Sequence, residues 1–488
     1  MSDFKSLLAN IYKKNEQPKM KRDSLEKTED GVPSKRRRTK PTSTVDPELE
    51  KIKNQLTIGL NQGQREIYNL IMNEKKEGPL KLFITGKAGT GKSHLIRALA
   101  LNSGFGVVSP TAASAKVMGG QTIHSFFKIR PYDNYYKDNP IDSAVKQKIN
   151  AISTLIIDEI SMVRPCLLDV METICRKARG EDEFFGGMNI LLFGDFCQLL
   201  PIFEPGEDKR LLFEYELWSK FEQKILTENM RQRDEEYIIN LNRIRMGIEL
   251  EIAVNYFNNF YDPDIDSMSI EERHQTTFLV PRKAMAQNIN MMIMLWFHEN
   301  HTGEGTLISR QKTPVTYVPR EKMNSVIKFA DIDSILPNDL VIYKGMRFMV
   351  TKNLNPLIYN GLIVTVEDIV SVKRGDDCID QIRVSYDGKS TFIFDGLYSF
   401  YTYDGGKPFK IDGLPLNYAY ASTINKCQGL SLPSAVVDLR GSFGAGMVYV
   451  ALSRVSDITK LKLASKLEMN EIIIDSRVLN VYTKYTCQ

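Results

Sequence analysis

The stretch Gly86-Lys87-Ala88-Gly89-Thr90-Gly91-Lys92-Ser93 constrains this chain more than any other. It follows an apolar run, Lys81-Leu82-Phe83-Ile84-Thr85, and opens an amphipathic stretch, Ser93–Ala100. A GxxxxGK[ST] loop works between a buried strand and the first turn of a helix. There the glycines let the backbone wrap a phosphate, and the N–H groups at the helix start point at the anion. Gly86, Lys87, Ala88, Gly89, Thr90, Gly91, Lys92 and Ser93 are therefore expected to cradle a nucleoside triphosphate. Lys92 is expected at the β- and γ-phosphates, and the Ser93 hydroxyl on Mg²⁺.

Further strand-like runs follow at Gly106-Val107-Val108, Leu155-Ile156-Ile157 and Asn189-Ile190-Leu191-Leu192-Phe193. Strands alternating with helices predict an α/β fold with a doubly wound parallel sheet, whose ligands gather at the carboxyl ends of the strands. Two polar motifs stand at such ends. Asp158-Glu159 pairs a carboxylate suited to the Mg²⁺ shell with one suited to polarising the attacking water. Gly194-Asp195-Phe196-Cys197-Gln198 places an amide, Gln198, where it can sense the γ-phosphate. Taken singly, these are a glycine turn, a helix cap and a loop amide; their succession at strand ends favours one shared site.

At 488 residues the chain exceeds what one core supports, and a second half repeats the theme at Thr277-Phe278-Leu279-Val280 and Ala435-Val436-Val437-Asp438-Leu439. Residues 338–413 are rich in β-branched and aromatic side chains, with turn pairs at Asn360-Gly361 and Asp387-Gly388, and read as a small antiparallel insertion. The first 50 residues read as a disordered arm. They hold 12 basic and 9 acidic residues, so most of the chain's net +4 lies there and any nucleic-acid surface in the body is a local groove. The cluster Lys35-Arg36-Arg37-Arg38-Thr39-Lys40 is either a nuclear-import signal or a solvated tail that helps to hold DNA.

Six cysteines without a CxxC pair argue against a disulfide framework or zinc site, and His298 and His301 lack further ligands. No apolar run approaches the roughly 18 residues of a membrane span, and no signal peptide is evident, so a soluble intracellular chain without membrane partners is expected.

From about residue 58 to 465 the succession of motifs resembles the superfamily-1 group-B DNA helicases, and within them the Pif-type (petite integration frequency) enzymes. Leu60-Asn61-Gln62-Gly63-Gln64 resembles the adenine-reading segment, with Gln64 its glutamine. Ser109-Pro110-Thr111-Ala112-Ala113 and Gly119–Phe126 resemble segments that touch single-stranded DNA. The resemblance thus carries Pro110, Thr111, His124 and Phe126 as DNA contacts, Phe126 by stacking. Ser161–Arg179 with Phe185-Gly186-Gly187 resembles the signature that separates Pif-type from RecD-type enzymes. Leu226–Gln232 and Tyr449–Arg454 resemble segments whose arginines, here Arg231 and Arg454, reach the γ-phosphate. Ala421–Gly429 resembles the DNA-tracking segment, carrying Thr423, Asn425 and Lys426. Two positions depart from the pattern: Asn425 stands where the family usually has histidine, and Leu200 where it has the first of two prolines.

The resemblance implies two RecA-like P-loop domains, with parallel sheets flanked by helices, a small wedge insertion and a small β-barrel insertion. The expected layout is an arm to residue 50, a first domain over 51–205 with the wedge at about 128–149, and a second domain over 206–337 and 414–488 around the 338–413 insertion. It further implies ATP and Mg²⁺ in the cleft between the domains, and 5′→3′ travel on single-stranded DNA with unwinding of duplex or structured DNA. Partnership with single-strand-binding or replication proteins would accompany that work. Tyr132, Tyr135 and Tyr136 belong to the wedge or to a plain surface loop. A translocating ATPase that remodels nucleoprotein without unwinding has the same motifs. A decayed, non-catalytic subunit conflicts with the joint presence of Lys92, Asp158, Glu159, Gln198, Arg231 and Arg454.

Overall fold

The computed structural model describes residues 47–73, 78–129, 141–203, 206–300, 305–319, 326, 332–355, 357–374, 377–386, 388 and 390–486. The basic clusters of the arm, Tyr132, Tyr135, Tyr136 and Asp387 lie outside them.

The first lobe is built on six strands: β1 (Lys81–Gly86), β2 (Phe105–Ser109), β3 (Gln121–Thr122), β4 (Thr154–Ile157), β5 (Asn189–Gly194) and β6 (Glu222–Leu226). They lie in the order β3-β2-β4-β5-β1-β6, and every pairing is parallel. Apolar side chains alternate between two cores. Phe83, Leu155, Ile157, Ile190 and Leu192 enter one; Leu82, Ile84, Ile156, Leu191 and Phe193 enter the other. A parallel sheet covered on both faces needs continuous apolar runs, which is why these strands showed so plainly in the sequence. The short β3 carried no such run, so Asp158 follows the fourth strand and Gln198 the fifth.

The second lobe has four strands, β7 (Thr277–Val280) and, far along the chain, β18 (Ala421–Thr423), β19 (Ala435–Val437) and β20 (Leu461–Leu463). They pair in parallel in the order β18-β7-β19-β20. Between β7 and β18 runs an antiparallel region. It comprises β8 (Thr306–Ser309), β9 (Gln311–Pro314), β10 (Asp339–Ile342), β11 (Arg347–Val350), β12 (Ile363–Arg374), β13 (Asp377–Tyr386), β14 (Ser390–Asp395), β15 (Tyr398–Asp404), β16 (Lys407–Gly413) and β17 (Leu416–Tyr418). Among the described residues these pair as a sheet β14-β13-β12-β11-β17, a sheet β15-β16-β9 and a ladder β10-β8. Strands on both sides of the 338–413 interval thus join it, since β8, β9 and β17 supply its edges.

Two helices and the stretch up to β6 depart from the expected layout: β6, with Leu211, Leu212 and Trp218 before it, falls in the interval expected for the second domain but joins the first lobe. Ser143–Asn150, within the interval expected for the wedge, buries Val145 and Ile149 in the first lobe's core. Ser476–Thr486, at the end of the stretch expected in the second domain, returns to the first lobe. Its Val478 and Tyr482 pack in that lobe's core. Among the described residues no helix is long and apolar enough to cross a membrane.

Candidate active site

The loop after β1 has the backbone its glycines require. Gly89 and Gly91 stand at φ +88° and +78°, a region costly for residues with a Cβ. The helix Lys92–Ala100 begins without a side-chain cap, so its first N–H groups face the loop's concavity. Lys92 Nζ donates to the carbonyls of Gly86 (2.6 Å) and Lys87 (3.1 Å). Burial lowers its pKa, opposed by the charges of Asp195, Glu159 and Asp158. A phosphate would replace the neutral acceptors with an anion and favour the charged amine.

Asp158 and Glu159 follow β4, both buried. Burial, and then the neighbouring Glu159 charge, push the Asp158 carboxyl well up. Ser114 Oγ donates to Asp158 Oδ2 at 2.6 Å. Glu159 occupies the left-handed region (φ 51°), and its Oε2 accepts from Gln428 Nε2 at 2.8 Å. The Ser93 hydroxyl and the Asp158 carboxylate are hard oxygen donors. With phosphate oxygens and water they suit Mg²⁺, which rarely relies on an all-protein cage. Among the described residues no cluster of three His, Cys, Asp or Glu competes for that role.

Gln198 is buried in the turn after β5, where its N–H donates to the Asp195 carbonyl at 2.9 Å. The turn abuts the helix Met447–Leu452 of the second lobe. A Cβ at Gly446 would lie 2.4 Å from the Gln198 carbonyl oxygen, so only glycine permits this approach. Tyr449 on that helix accepts a hydrogen bond from the Ala88 N–H of the phosphate loop at 2.7 Å.

Arg454 enters from the second lobe, and Arg231 lies on the segment that leaves β6 for that lobe, beside the phosphate loop, where a Cβ at Gly89 would lie 3.0 Å from Arg231 Cβ. Arg231 Nη1 donates to the Ser453 carbonyl (3.1 Å). Burial, and the Arg454 charge beside it, lower the Arg231 guanidinium to about 10, still charged at neutral pH. Arg454, 1% exposed, donates to the carbonyls of Val450 and Leu430 and to Ser453 Oγ. Glu159 is within electrostatic reach of both arginines, and Arg231 of Lys92. Five of the six expected catalytic residues, Lys92, Asp158, Glu159, Arg231 and Arg454, are therefore linked electrostatically across the lobes, while Gln198 meets the second lobe through its turn at Gly446.

The remaining expected residues are placed less uniformly. Gln64 is buried and forms a capping box with Asn61; its Nε2 donates to the Thr90 carbonyl at 3.1 Å. It braces the phosphate loop, with one N–H left for a base. Thr111 caps the helix Ala112–Val117. Pro110 and His124 are partly exposed, and burial lowers the His124 pKa. Phe126 corrects the expectation of base stacking. It is 6% exposed and packed edge-on against Phe127 in the core, so neither ring face is offered to a base. Thr423 is buried at the end of β18 and Lys426 is exposed. Asn425 lines a groove with Leu199, Leu200 and Pro201 of the Gln198 turn and with Phe443.

Sequence reasoning missed a buried bridge between the lobes. Arg245, on the helix Glu235–Met246, donates Nε and Nη2 to Asp195 Oδ2 and Oδ1 at 3.0 and 2.8 Å. The Tyr482 hydroxyl lies 3.1 Å from Asp195 Oδ1 and 3.0 Å from Thr85 Oγ1. Burial alone would raise the Asp195 carboxyl, but the Arg245 guanidinium holds it below its ordinary value. Partners so distant in the chain left no sequence signal. Ser114 and Gln428 were closer to view, one residue past and within motifs already singled out.

A parallel-sheet P-loop lobe facing a second parallel-sheet lobe that returns arginines to its nucleotide groups defines a two-domain nucleoside-triphosphatase. The family described as PIF1-like helicase matches residues 59–245. The ATP-dependent DNA helicase Pif1 of Bdellovibrio bacteriovorus is 28% identical over 452 residues, covering 88% of this chain and 96% of that protein. The ATP-dependent DNA helicase PIF7 of Trypanosoma brucei brucei is 27% identical over 466 residues, 82% of this chain but 46% of that longer protein. The crystal structure of Pif1 from Bacteroides with ADP-AlF3 and single-stranded DNA matches with a TM-score of 0.70 at 26% identity. That match covers 88% of this chain and 98% of the other. The chain is thus similar to PIF1-like helicases over most of its length, and residues 59–245 match that family.

Proposed function

We propose that this chain is an ATP-dependent DNA helicase that uses Mg²⁺ and moves 5′→3′ on single-stranded DNA, opening duplex or structured DNA ahead of it. The observation that carries the reading is the divided site: Lys92, Ser93, Asp158, Glu159 and Gln198 on one lobe, Arg454 on the other, and Arg231 on the segment between them with its guanidinium on the second lobe's Ser453. A site completed only when lobes meet ties each hydrolysis to a domain movement. The likeness to the Bacteroides Pif1 structure in complex with ADP-AlF3 and single-stranded DNA supports both ligands.

In this reading Ser93 and Asp158 would hold Mg²⁺, which would supply charge neutralisation for the phosphates of ATP. Lys92 grips those phosphates, Glu159 accepts the proton of the attacking water and Gln198 registers the γ-phosphate. Arg231 and Arg454 leave their carbonyl acceptors to meet charge on the transferring group. Pro110, Thr111 and His124 on one lobe, and Thr423, Asn425 and Lys426 on the other, hold the DNA backbone in alternation. The work serves replication, recombination or repair. The basic cluster at 35–40 directs the chain to nuclei, which a fluorescent fusion lacking residues 1–46 tests.

A strand-displacement assay on 5′-tailed, 3′-tailed and G-quadruplex substrates, with and without ATP, tests the function. Unwinding of 5′-tailed substrates with ATP is expected. ATP-driven travel without displacement on any substrate would leave a translocase instead.

A further inference from the structure

The two carboxylates at the end of β4 are each held by a residue from a different DNA-side segment. Ser114, three residues beyond Thr111, bonds Asp158. Gln428, three beyond Asn425, bonds Glu159. The two segments meet at this point. A Cβ at Gly429 would lie 3.1 Å from Glu159 Oε1 and 3.3 Å from Ser114 Cβ, and Gly429 has φ +79°. Glycine alone lets the second lobe's segment close on both.

Gln428 is 0% exposed, and an ionised carboxylate only accepts hydrogen bonds, so its Nε2 end must face Glu159. That choice leaves Oε1 as a buried acceptor with no partner among the described residues. A buried acceptor of this kind is costly unless it serves a donor during the work of the site. Glu159, in turn, is a non-glycine residue in the left-handed region, a conformation that persists only where surroundings over-determine it.

We infer that Gln428 is a positioning residue for hydrolysis, holding the Glu159 carboxylate through Nε2 and taking the second hydrogen of the attacking water on Oε1, with Ser114 steadying Asp158 from within the first lobe. Seating of DNA on the tracking segment sets the Gln428 amide, and through it the orientation of the group that activates water. The inference rests on the proposal that these segments grip single-stranded DNA.

The test is steady-state ATP hydrolysis by the full chain at saturating poly(dT), comparing wild type with Gln428→Ala, Gln428→Glu and Ser114→Ala. Gln428→Ala is expected to lower kcat about 10- to 100-fold, in the range of a mispositioned general base. The KM for ATP and the Kd for a fluorescent oligo(dT) should stay within about 3-fold of wild type, because neither ligand touches Gln428 in its ground state. Gln428→Glu keeps the side chain's shape but sets a second carboxylate against Glu159, so it should fall below Gln428→Ala. A residue that only packs would give the opposite order. Ser114→Ala should lower kcat less than either. Thermal melts matching wild type show that the variants fold. A Gln428→Glu enzyme with wild-type kcat, or losses confined to KM and Kd, would overturn the inference alone. Wild-type hydrolysis that ignores poly(dT) would overturn the DNA-motor reading and this inference with it.

Discussion

The two lobes share a parallel-sheet plan and use it differently. The first gathers its chemistry at the ends of β1, β4 and β5, adjacent strands of one sheet, so hydrogen-bond register sets the spacing of phosphate loop, carboxylates and sensor. The second keeps four strands, with the antiparallel region inserted after β7, and contributes side chains from turns and helix ends. Its carbonyls hold both arginines: Arg454 on Val450 and Leu430, and Arg231 on Ser453. A buried guanidinium needs acceptors at all times, and those carbonyls supply them while no phosphate does. One lobe thus carries the phosphate loop and carboxylates; the other brings Arg454, Tyr449 and Gln428 against them.

Several substitutions would break or sharpen that contrast. The largest effect is expected at the phosphate loop. Lys92→Ala should cut DNA-stimulated ATP turnover by about 10³-fold or more while sparing binding of labelled oligo(dT), as loss of a group on the transferring phosphate implies. Turnover near wild type would remove Lys92 from the site.

Arg454→Ala tests the charge that the second lobe brings. A fall in kcat of roughly 10²- to 10³-fold, with KM for ATP little changed, is the signature of an arginine used only as the phosphoryl group transfers. If the loss lay in KM instead, Arg454 would belong to ground-state binding and the two lobes would not divide the labour this way.

Between the lobes, Arg245→Ala should cost about 3 kcal/mol in urea denaturation, because it strands the buried Asp195 carboxylate. Pairing Arg245→Met with Asp195→Leu should recover much of that. No recovery would mean that the bridge's geometry, rather than its charge balance, holds the lobes.

The smallest effect concerns pH. The Asp158 carboxyl is raised in the folded protein, so the folded state retains a proton that the unfolded chain has lost. Its contribution to stability is whole below the ordinary carboxylate range and is lost as pH rises through the raised value. Without nucleotide or metal, wild type should lose about 1 kcal/mol more than Asp158→Asn between about pH 5 and pH 8 in paired denaturation curves. Equal losses would show that Asp158 is not the strained group of the first lobe's site.

What was legible in the sequence follows from range. Lys92, Ser93, Asp158, Glu159 and Gln198 each sit beside an apolar strand that announces itself, and motif and strand end coincide. Phe126 misled because an aromatic in a DNA-side motif has the same letter whether it faces a base or, as here, Phe127 and the core. The short β3 and the return of Ser476–Thr486 to the first lobe left no mark either. The first is too brief for periodicity, and the second is an ordinary amphipathic helix whose destination depends on what surrounds it.

By itself the sequence determined the phosphate loop, the order of the carboxylates and sensor, and the presence of two arginine-bearing segments. These rest on backbone conformation and nearest neighbours, which a short run of residues dictates. Only the tertiary structure decided that Gln428 reaches Glu159, that Arg245 and Tyr482 enclose Asp195, and that both arginines wait on carbonyls. Apart from those of Arg454, these contacts join residues about 50 to 290 positions apart, a separation that no local pattern encodes. They form because a buried carboxylate or guanidinium must find a partner wherever packing brings one.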